Sequence, residues 1–119
     1  MRFVRFHCIV AATIALLFGA VVAHALAPLG EFDLTLDGVP FTVTEKVHGE
    51  YEFPYAIQGG SETYYIRNEE TIAAVRDQFL GAMQRNEPVT VKAHVLMVFE
   101  DLLVIDQIYS LSPGLMEAG

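Results

Sequence analysis

Cysteine and basic residues are scarce in this chain. Its 119 residues include a single cysteine, Cys8, which stands in an N-terminal apolar segment, and seven Lys and Arg side chains against fifteen Asp and Glu. A fold without a disulfide depends on its apolar core for stability. Nucleic acids and anionic membrane surfaces attract proteins mainly through Lys and Arg, so the acidic balance argues against both as partners.

The first 25 residues have the three-part layout of a secretory signal peptide. Arg2 and Arg5 form a short basic start, residues 9–22 are an uncharged apolar run, and Ala23-His24-Ala25 places small residues at positions −3 and −1. We therefore expect cleavage after Ala25 and export to the periplasm or the cell exterior.

The alternative is an uncleaved N-terminal anchor. Residues 8–25 form a stretch of 18 residues without a charged side chain, which is near the lower limit for spanning a bilayer. The weakly hydrophobic second half of this stretch and the cleavage motif favour removal.

Removal of residues 1–25 leaves one domain, residues 26–119. This domain has fifteen acidic and five basic residues, a formal net charge of −10, and no cysteine. Its length is sufficient for a single domain with a modest core. The mature protein is therefore expected to be acidic, free of disulfides and no longer attached to a membrane.

Alternating apolar and polar residues predict a mainly β domain. Asp37-Gly38 and residues 58–61 are typical of turns, and His48-Gly49 indicates a bend or bulge. Pro54 has no backbone N–H, so its strand is expected to lie at an edge or to be bulged there. The expected strands cover residues 32–36, 41–47, 51–57, 62–67, 89–99 and 102–111.

One helix is expected in the middle of these strands. Asn68 is suited to cap its N-terminus, Glu69 and Glu70 complement the positive end of the helix dipole, and Asn86 and Pro88 end it. Its apolar stripe has helical spacing and consists of Ile72, Val75, Phe79 and Met83, with Leu80 beside them.

The order of elements resembles an OB-fold. The resemblance is carried by Tyr64-Tyr65-Ile66 before the helix and by residues 89–95 and 103–108 after it, within a segment from about residue 41 to 111. The chain is similar to small exported bacterial OB-fold proteins, which implies an OB-fold-like five-stranded barrel with one helix. OB-folds often have Gly in the fourth strand, where the barrel pinches, and Ala93 is the nearest small residue here. The alternative is an α+β sheet with the helix packed on one face.

The resemblance also implies a place for a ligand, since OB-folds bind on the face of strands two and three. On that face the residues of interest are Tyr55, Tyr65 and Arg67, and Tyr65 and Arg67 point outward if Tyr64 and Ile66 point inward. An aromatic ring beside a guanidinium suits a sugar or a peptide and can hold a carboxylate. The alternative is that Tyr65 covers the barrel and Arg67 offsets a neighbouring Glu.

No catalytic or metal-binding pattern stands out in the domain. It has no cysteine, and its serines lie in turn or tail positions without a nucleophile-elbow sequence. His48 and His94 are weak metal candidates, because strands one and four of an OB-fold are neighbours and Glu50 is close in sequence. Without a ligand spacing to support them, we expect no metal, no cofactor and no catalytic residue.

Three functions are compatible with these features. The expected one is a non-enzymatic exported binding or accessory domain that recognises a small molecule, a glycan or a peptide. A protein–protein interaction or stress-related module, including a homodimer, is the alternative. It would use the edge broken at Pro54 or the apolar run Leu96-Met97-Val98-Phe99, in which Leu96 and Val98 are exposed unless a partner covers them. The third is a small metal-dependent hydrolase.

Overall fold

A computed structural model describes residues 28–114. The expected signal peptide and its cleavage site lie outside these residues. Among the described residues, no helix is both long and apolar enough to cross a membrane. The elements are β1 (Gly30–Thr42), β2 (Tyr55–Gly59), β3 (Glu62–Ile66), a 3₁₀ segment (Glu69–Val75), α1 (Arg76–Arg85), β4 (Val89–Phe99) and β5 (Leu102–Pro113).

The five strands close into a barrel in the order β1-β2-β3-β5-β4. Strands β3 and β5 run parallel, and every other neighbouring pair is antiparallel. The helical segment connects β3 to β4. The mainly β, OB-fold-like barrel with one helix is thus confirmed, and the alternative of a helix on one face of an open sheet is wrong.

The turn predicted at Asp37-Gly38 is absent, because β1 continues through it. Gly38 is the last residue of β1 that pairs with β4, and Val39 is the first that pairs with β2. A Cβ on Gly38 would lie 2.5 Å from the carbonyl oxygen of Gln58. Glycine therefore serves here to let β2 approach β1 closely where the strand changes partners, rather than to reverse the chain.

Replacement of Gly38 by Ala is expected to lower the free energy of unfolding by about 1–3 kcal/mol, because the added methyl group overlaps backbone that cannot move freely. Gly30→Ala is the matched control, since a Cβ on Gly30 meets nothing within 4 Å in the same strand. Urea unfolding of both variants measures the difference. Equal stability of Gly38→Ala and Gly30→Ala would contradict the close approach.

The strands predicted at 41–47 and 51–57 are replaced over residues 43–54 by a loop, called here the 43–54 loop. Its tip is a tight turn in which His48 and Gly49 have φ of 54° and 78°, closed by a bridge between Val47 and Tyr51. The bend predicted at His48-Gly49 is confirmed. Strand β2 starts directly after Pro54, so this proline, which cannot donate to a ladder, precedes the strand instead of lying at an edge or a bulge within it.

The helical segment begins and ends where the sequence predicts. The Asn68 side chain accepts a hydrogen bond from the Thr71 backbone N–H at 3.1 Å, and the Thr71 hydroxyl accepts one from the Asn68 backbone N–H at 3.3 Å. Asn86 takes a left-handed conformation that ends α1. The first turns are 3₁₀ rather than α-helical, a tighter winding common at helix ends.

The main core fills the barrel and lies under the helical segment. It joins the inward residues of all five strands to the buried face of the helix, from which Ile72 and Phe79 are fully buried. Val75 and Leu80 of the predicted stripe pack against this core. Its buried members are Leu36, Ile57, Ile66, Ile72, Phe79, Ala82, Val89, Val91, Ala93, Val95, Leu103 and Ile105.

A second, smaller core lies on the outside of the barrel beneath the 43–54 loop. It consists of the buried side chains Phe53, Leu96, Val98, Leu102 and Val104. Leu96 and Val98 are only 6 % and 4 % exposed. The expectation that these two side chains need a partner molecule is therefore wrong, because the loop of the same chain covers them.

Candidate functional site

The outward and inward directions predicted for β3 are confirmed. Ile66 belongs to the main core and Tyr64 packs against it, whereas Tyr65 packs against the outer core. Pairing of Ala56 with Tyr65 places the outer face of β2 and β3 next to the 43–54 loop. Tyr65 thus lies on the face where OB-folds bind ligands.

Tyr55 does not share that face. It pairs with Ile66 and packs against the main core, with its ring 5.4 Å from that of Phe79. Its hydroxyl donates to the Glu69 carboxylate at 3.0 Å. Burial, together with this hydrogen bond and the charge of Glu69, raises the pKa of Tyr55 above its usual value. The expectation that Tyr55 and Tyr65 line one surface is wrong, because adjacent residues on paired strands fix them to opposite sides.

The open face expected around Tyr65 is occupied by the 43–54 loop. Phe53 stacks on Tyr65 with ring centroids 5.0 Å apart. The row of rings continues along the loop, with Tyr51 6.5 Å from Phe53 and 6.0 Å from Phe99, and ends where His48 stacks on Phe99 at 5.1 Å. The face around Tyr65 is therefore partly covered, and a ligand there must bind beside the loop or displace it.

Beside the loop, an open cleft of about 380 Å³ remains next to Arg67. Arg67 follows the end of β3, and its backbone N–H donates to the carbonyl oxygen of Ile105 at 3.0 Å, which holds it against β5. The cleft is lined by Glu52, Phe53, Pro54, Arg67, Asn68 and Glu69. It thus combines one guanidinium, two carboxylates and an apolar wall at the edge of the predicted binding face.

Glu69 is held in place by two neighbours. Its carboxylate accepts hydrogen bonds from the Tyr55 hydroxyl and from an Nη of Arg76, the latter at 2.9 Å. These bonds tie an otherwise flexible side chain to the start of the helical segment, at the border of the cleft. Tyr55 is thereby a positioning residue for Glu69, and its place inside the barrel is consistent with that role.

The structure separates the two histidines. His48 contacts Asp101 at 3.3 Å and Phe99, while His94 lies between Asp106, 2.8 Å from Nδ1, and Glu31, 3.0 Å from Nε2. The expectation that strands one and four bring them together fails because His48 belongs to the loop rather than to β1. Within residues 28–114, no three Cys, His, Asp or Glu side chains are grouped so as to hold a metal ion.

The cluster around His94 is a feature that the sequence reasoning missed. Asp106 faces outward by ordinary alternation after the inward Ile105, and the β4–β5 register shift between His94 and Val95 leaves it beside the imidazole. A second shift, between Lys92 and Ala93, falls at Tyr109, because Lys92 pairs with Ser110 and Ala93 with Ile108. The Tyr109 hydroxyl donates to Asp33 at 2.9 Å. The run Ile105-Asp106-Gln107-Ile108 carries the signal, since its apolar residues stand three apart instead of two, which is typical of a bulge.

Comparisons with protein-family models, with curated proteins and with solved structures gave no match.

Proposed function

We propose that this protein is an exported, non-enzymatic binding domain, and that a small molecule, glycan or short peptide binds in the cleft beside the 43–54 loop. The observation that carries the proposal is the composition of that cleft, in which Arg67, Glu52 and Glu69 surround the apolar wall of Phe53 and Pro54. The basic start, apolar run and cleavage motif of residues 1–25 support export.

The lining suits a ligand with both a polar edge and an apolar face. Arg67 offers planar N–H donors to a carboxylate or to vicinal hydroxyls, and the two carboxylates accept from hydroxyl, amide or ammonium groups. Pro54 is half-buried and offers carbon surface against which a sugar ring or an aliphatic side chain packs, whereas Phe53, at 5 % exposed, contributes little. Apolar walls with a few placed polar groups are the usual composition of small-ligand sites.

A binding role fits the described residues better than catalysis. Both ring nitrogens of His94 are bonded to carboxylates, so this imidazole has no free nitrogen to act as a base. His48 stacks on Phe99 and contacts Asp101 at the far end of the loop from the cleft. Neither histidine is among the residues that line the cleft, so acid–base chemistry by an imidazole has no group within reach there.

The protein-interaction alternative would use the edge broken at Pro54 or exposed side chains in the run Leu96-Met97-Val98-Phe99. Only Phe99, at 39 %, keeps a large exposed fraction. A partner protein or a second copy is therefore retained as an outcome of the binding experiment rather than as the function proposed here.

The test is an amide-resolved NMR titration of the purified protein with cell-wall fragments, short peptides and a periplasmic extract. We expect saturable shifts of the amide signals of residues 52, 53 and 67–69. For the ligand found, Arg67→Ala is expected to weaken affinity about ten- to a hundredfold, the loss of a hydrogen bond to a charged group.

Arg85→Ala is the matched control, because Arg85 is an exposed arginine paired with Glu87 at the far end of α1. Equal affinities of the Arg67 and Arg85 variants would reject the cleft as the site. Silence toward all small molecules, with broadening in the extract alone, would favour the protein-interaction function.

A further inference from the structure

Three strands are joined by side chains at the outer surface where β1 begins. His94 of β4 contacts Asp106 of β5 through Nδ1 at 2.8 Å and Glu31 of β1 through Nε2 at 3.0 Å. The side chains of His94 and Asp106 are 21 % and 23 % exposed, whereas that of Glu31 is 58 % exposed. The contact with β1 is thus the more accessible half of the cluster.

The backbone places these three side chains together. Asp33 of β1 pairs with His94, and Glu31, two residues earlier, points to the same side of the strand. Asp106 follows the inward Ile105 and therefore faces outward, and the bulge next to His94 leaves it opposite the imidazole. The cluster is therefore built into the register of both neighbouring strands and does not depend on a flexible loop.

The protonation state of His94 decides whether both contacts hold. An imidazolium donates from both ring nitrogens, whereas a neutral imidazole donates from only one and turns a lone pair toward the other carboxylate. Other charged or titratable groups face this site: Asp33 from β1, Tyr109 from β5 and Lys92 from β4 itself. Three carboxylates thus surround one histidine. When the histidine loses its proton, it no longer offsets their negative charge.

We propose that Glu31, His94 and Asp106 form a proton-dependent clasp that fastens the first residues of β1 to the barrel. With His94 protonated, the contact between the Glu31 carboxylate and the imidazolium keeps residues 30–32 of β1 paired with residues 95–97 of β4. With His94 neutral, the more exposed Glu31 is released and this end of the strand frays. None of the three clasp side chains lines the Arg67 cleft, so the clasp stands independently of the proposed binding function.

The direction of the pH effect follows from the environment of His94. The hydrogen bond to Asp106, and then the charges of Asp106, Glu31 and Asp33, raise the pKa of His94 above its usual value of 6.5 against an opposing effect of burial. A histidine whose pKa is higher in the folded than in the unfolded chain stabilises the fold fully below the unfolded value. This stabilisation is lost as the pH rises through the folded pKa.

Hydrogen exchange of the purified protein, corrected for the intrinsic pH dependence of exchange, tests the clasp between about pH 5.5 and 8.5, where histidines titrate. We expect protection of the amides of residues 30–32 to fall as His94 loses its proton. The protonation state of His94 is measured in parallel by NMR of its imidazole signals. Protection of β2 and β3 is expected to stay unchanged. In His94→Gln, the pH dependence at residues 30–32 is expected to disappear.

Two further variants complete the experiment. Glu31→Gln removes an exposed charge, so it should fold, and it is expected to shift the His94 pKa downward and to lower protection of residues 30–32 at acidic pH. His48→Gln is the matched control, because His48 lies in the 43–54 loop and contacts one carboxylate, that of Asp101. This variant should leave the protection of residues 30–32 as in the unmodified chain. Protection that is constant through the His94 titration, or unchanged in Glu31→Gln, would overturn the clasp.

Discussion

Replacement of Phe53 by Ala is expected to lower the free energy of unfolding by about 3–5 kcal/mol, the usual cost of removing a buried phenylalanine ring. Phe53 is 5 % exposed and belongs to the outer core. The backbone hydrogen bonds described for the 43–54 loop join loop residues to one another, as between Val43 and Pro54 or Val47 and Tyr51. Side-chain packing, with Phe53 at its centre, therefore attaches the loop to the barrel.

The same variant is expected to loosen the loop before the barrel unfolds. Without the ring on Tyr65, the apolar surface of Leu96 and Val98 becomes accessible, and the Arg67 cleft loses one wall. Binding of a hydrophobic dye and increased hydrogen exchange confined to residues 43–54 measure this opening, and urea unfolding gives the total cost.

Phe41→Ala is the matched control, because Phe41 is 37 % exposed and lies outside the outer core. Its expected cost is well below that of Phe53→Ala. If both variants unfold at the same urea concentration and neither binds the dye, the loop does not depend on Phe53, and the description of the outer core is wrong.

Phe79→Ala is expected to have an effect of similar size, about 3–5 kcal/mol, through a different route. Phe79 is fully buried and connects α1 to the main core. Its ring also contacts Tyr55, which positions Glu69 in the cleft. The variant should therefore both destabilise the barrel and weaken any ligand held by Glu69.

Urea unfolding and ligand titration of the Phe79 variant measure the two effects separately. Gln78→Ala, at the adjacent exposed position of α1, controls for changes in helix propensity. A stability loss without any change in affinity would break the link from Phe79 through Tyr55 to Glu69, while leaving the core role intact. No loss of stability would contradict the packing of α1 on the barrel.

Much of the fold follows from local patterns. Asn68 and Asn86 mark the two ends of the helical segment, since a side-chain cap and a left-handed terminator are properties of short stretches of chain. The alternation of residues 62–66 and 89–95 predicts strands whose inward positions are those found in the main core. Together with the order of elements, these patterns predict a five-stranded barrel with one helix, although they predict two strands where β1 (Gly30–Thr42) is continuous.

The candidate site was predicted only in part, because its geometry depends on contacts between distant segments. Arg67 lines the cleft, as predicted for the binding face. In contrast, Phe53 packs over Tyr65, and Tyr55 points to the main core on the opposite side of the sheet. Alternation along one strand says which residues share a side, but not which segment packs over that side. The loop that covers Tyr65 shows the same alternation as a strand, so its sequence predicts one.

The sequence by itself determined the acidic charge, the absence of disulfides in the domain, the order of strands and helix, and the caps, because each depends on composition or on neighbours in the chain. Only the tertiary structure decided that Gly38 is a crossing point rather than a turn, that the 43–54 loop buries Leu96 and Val98, and that His94 meets Glu31 and Asp106. These features arise from strand register and from packing between segments far apart in sequence. Such contacts form only when the barrel closes, and no local pattern specifies them.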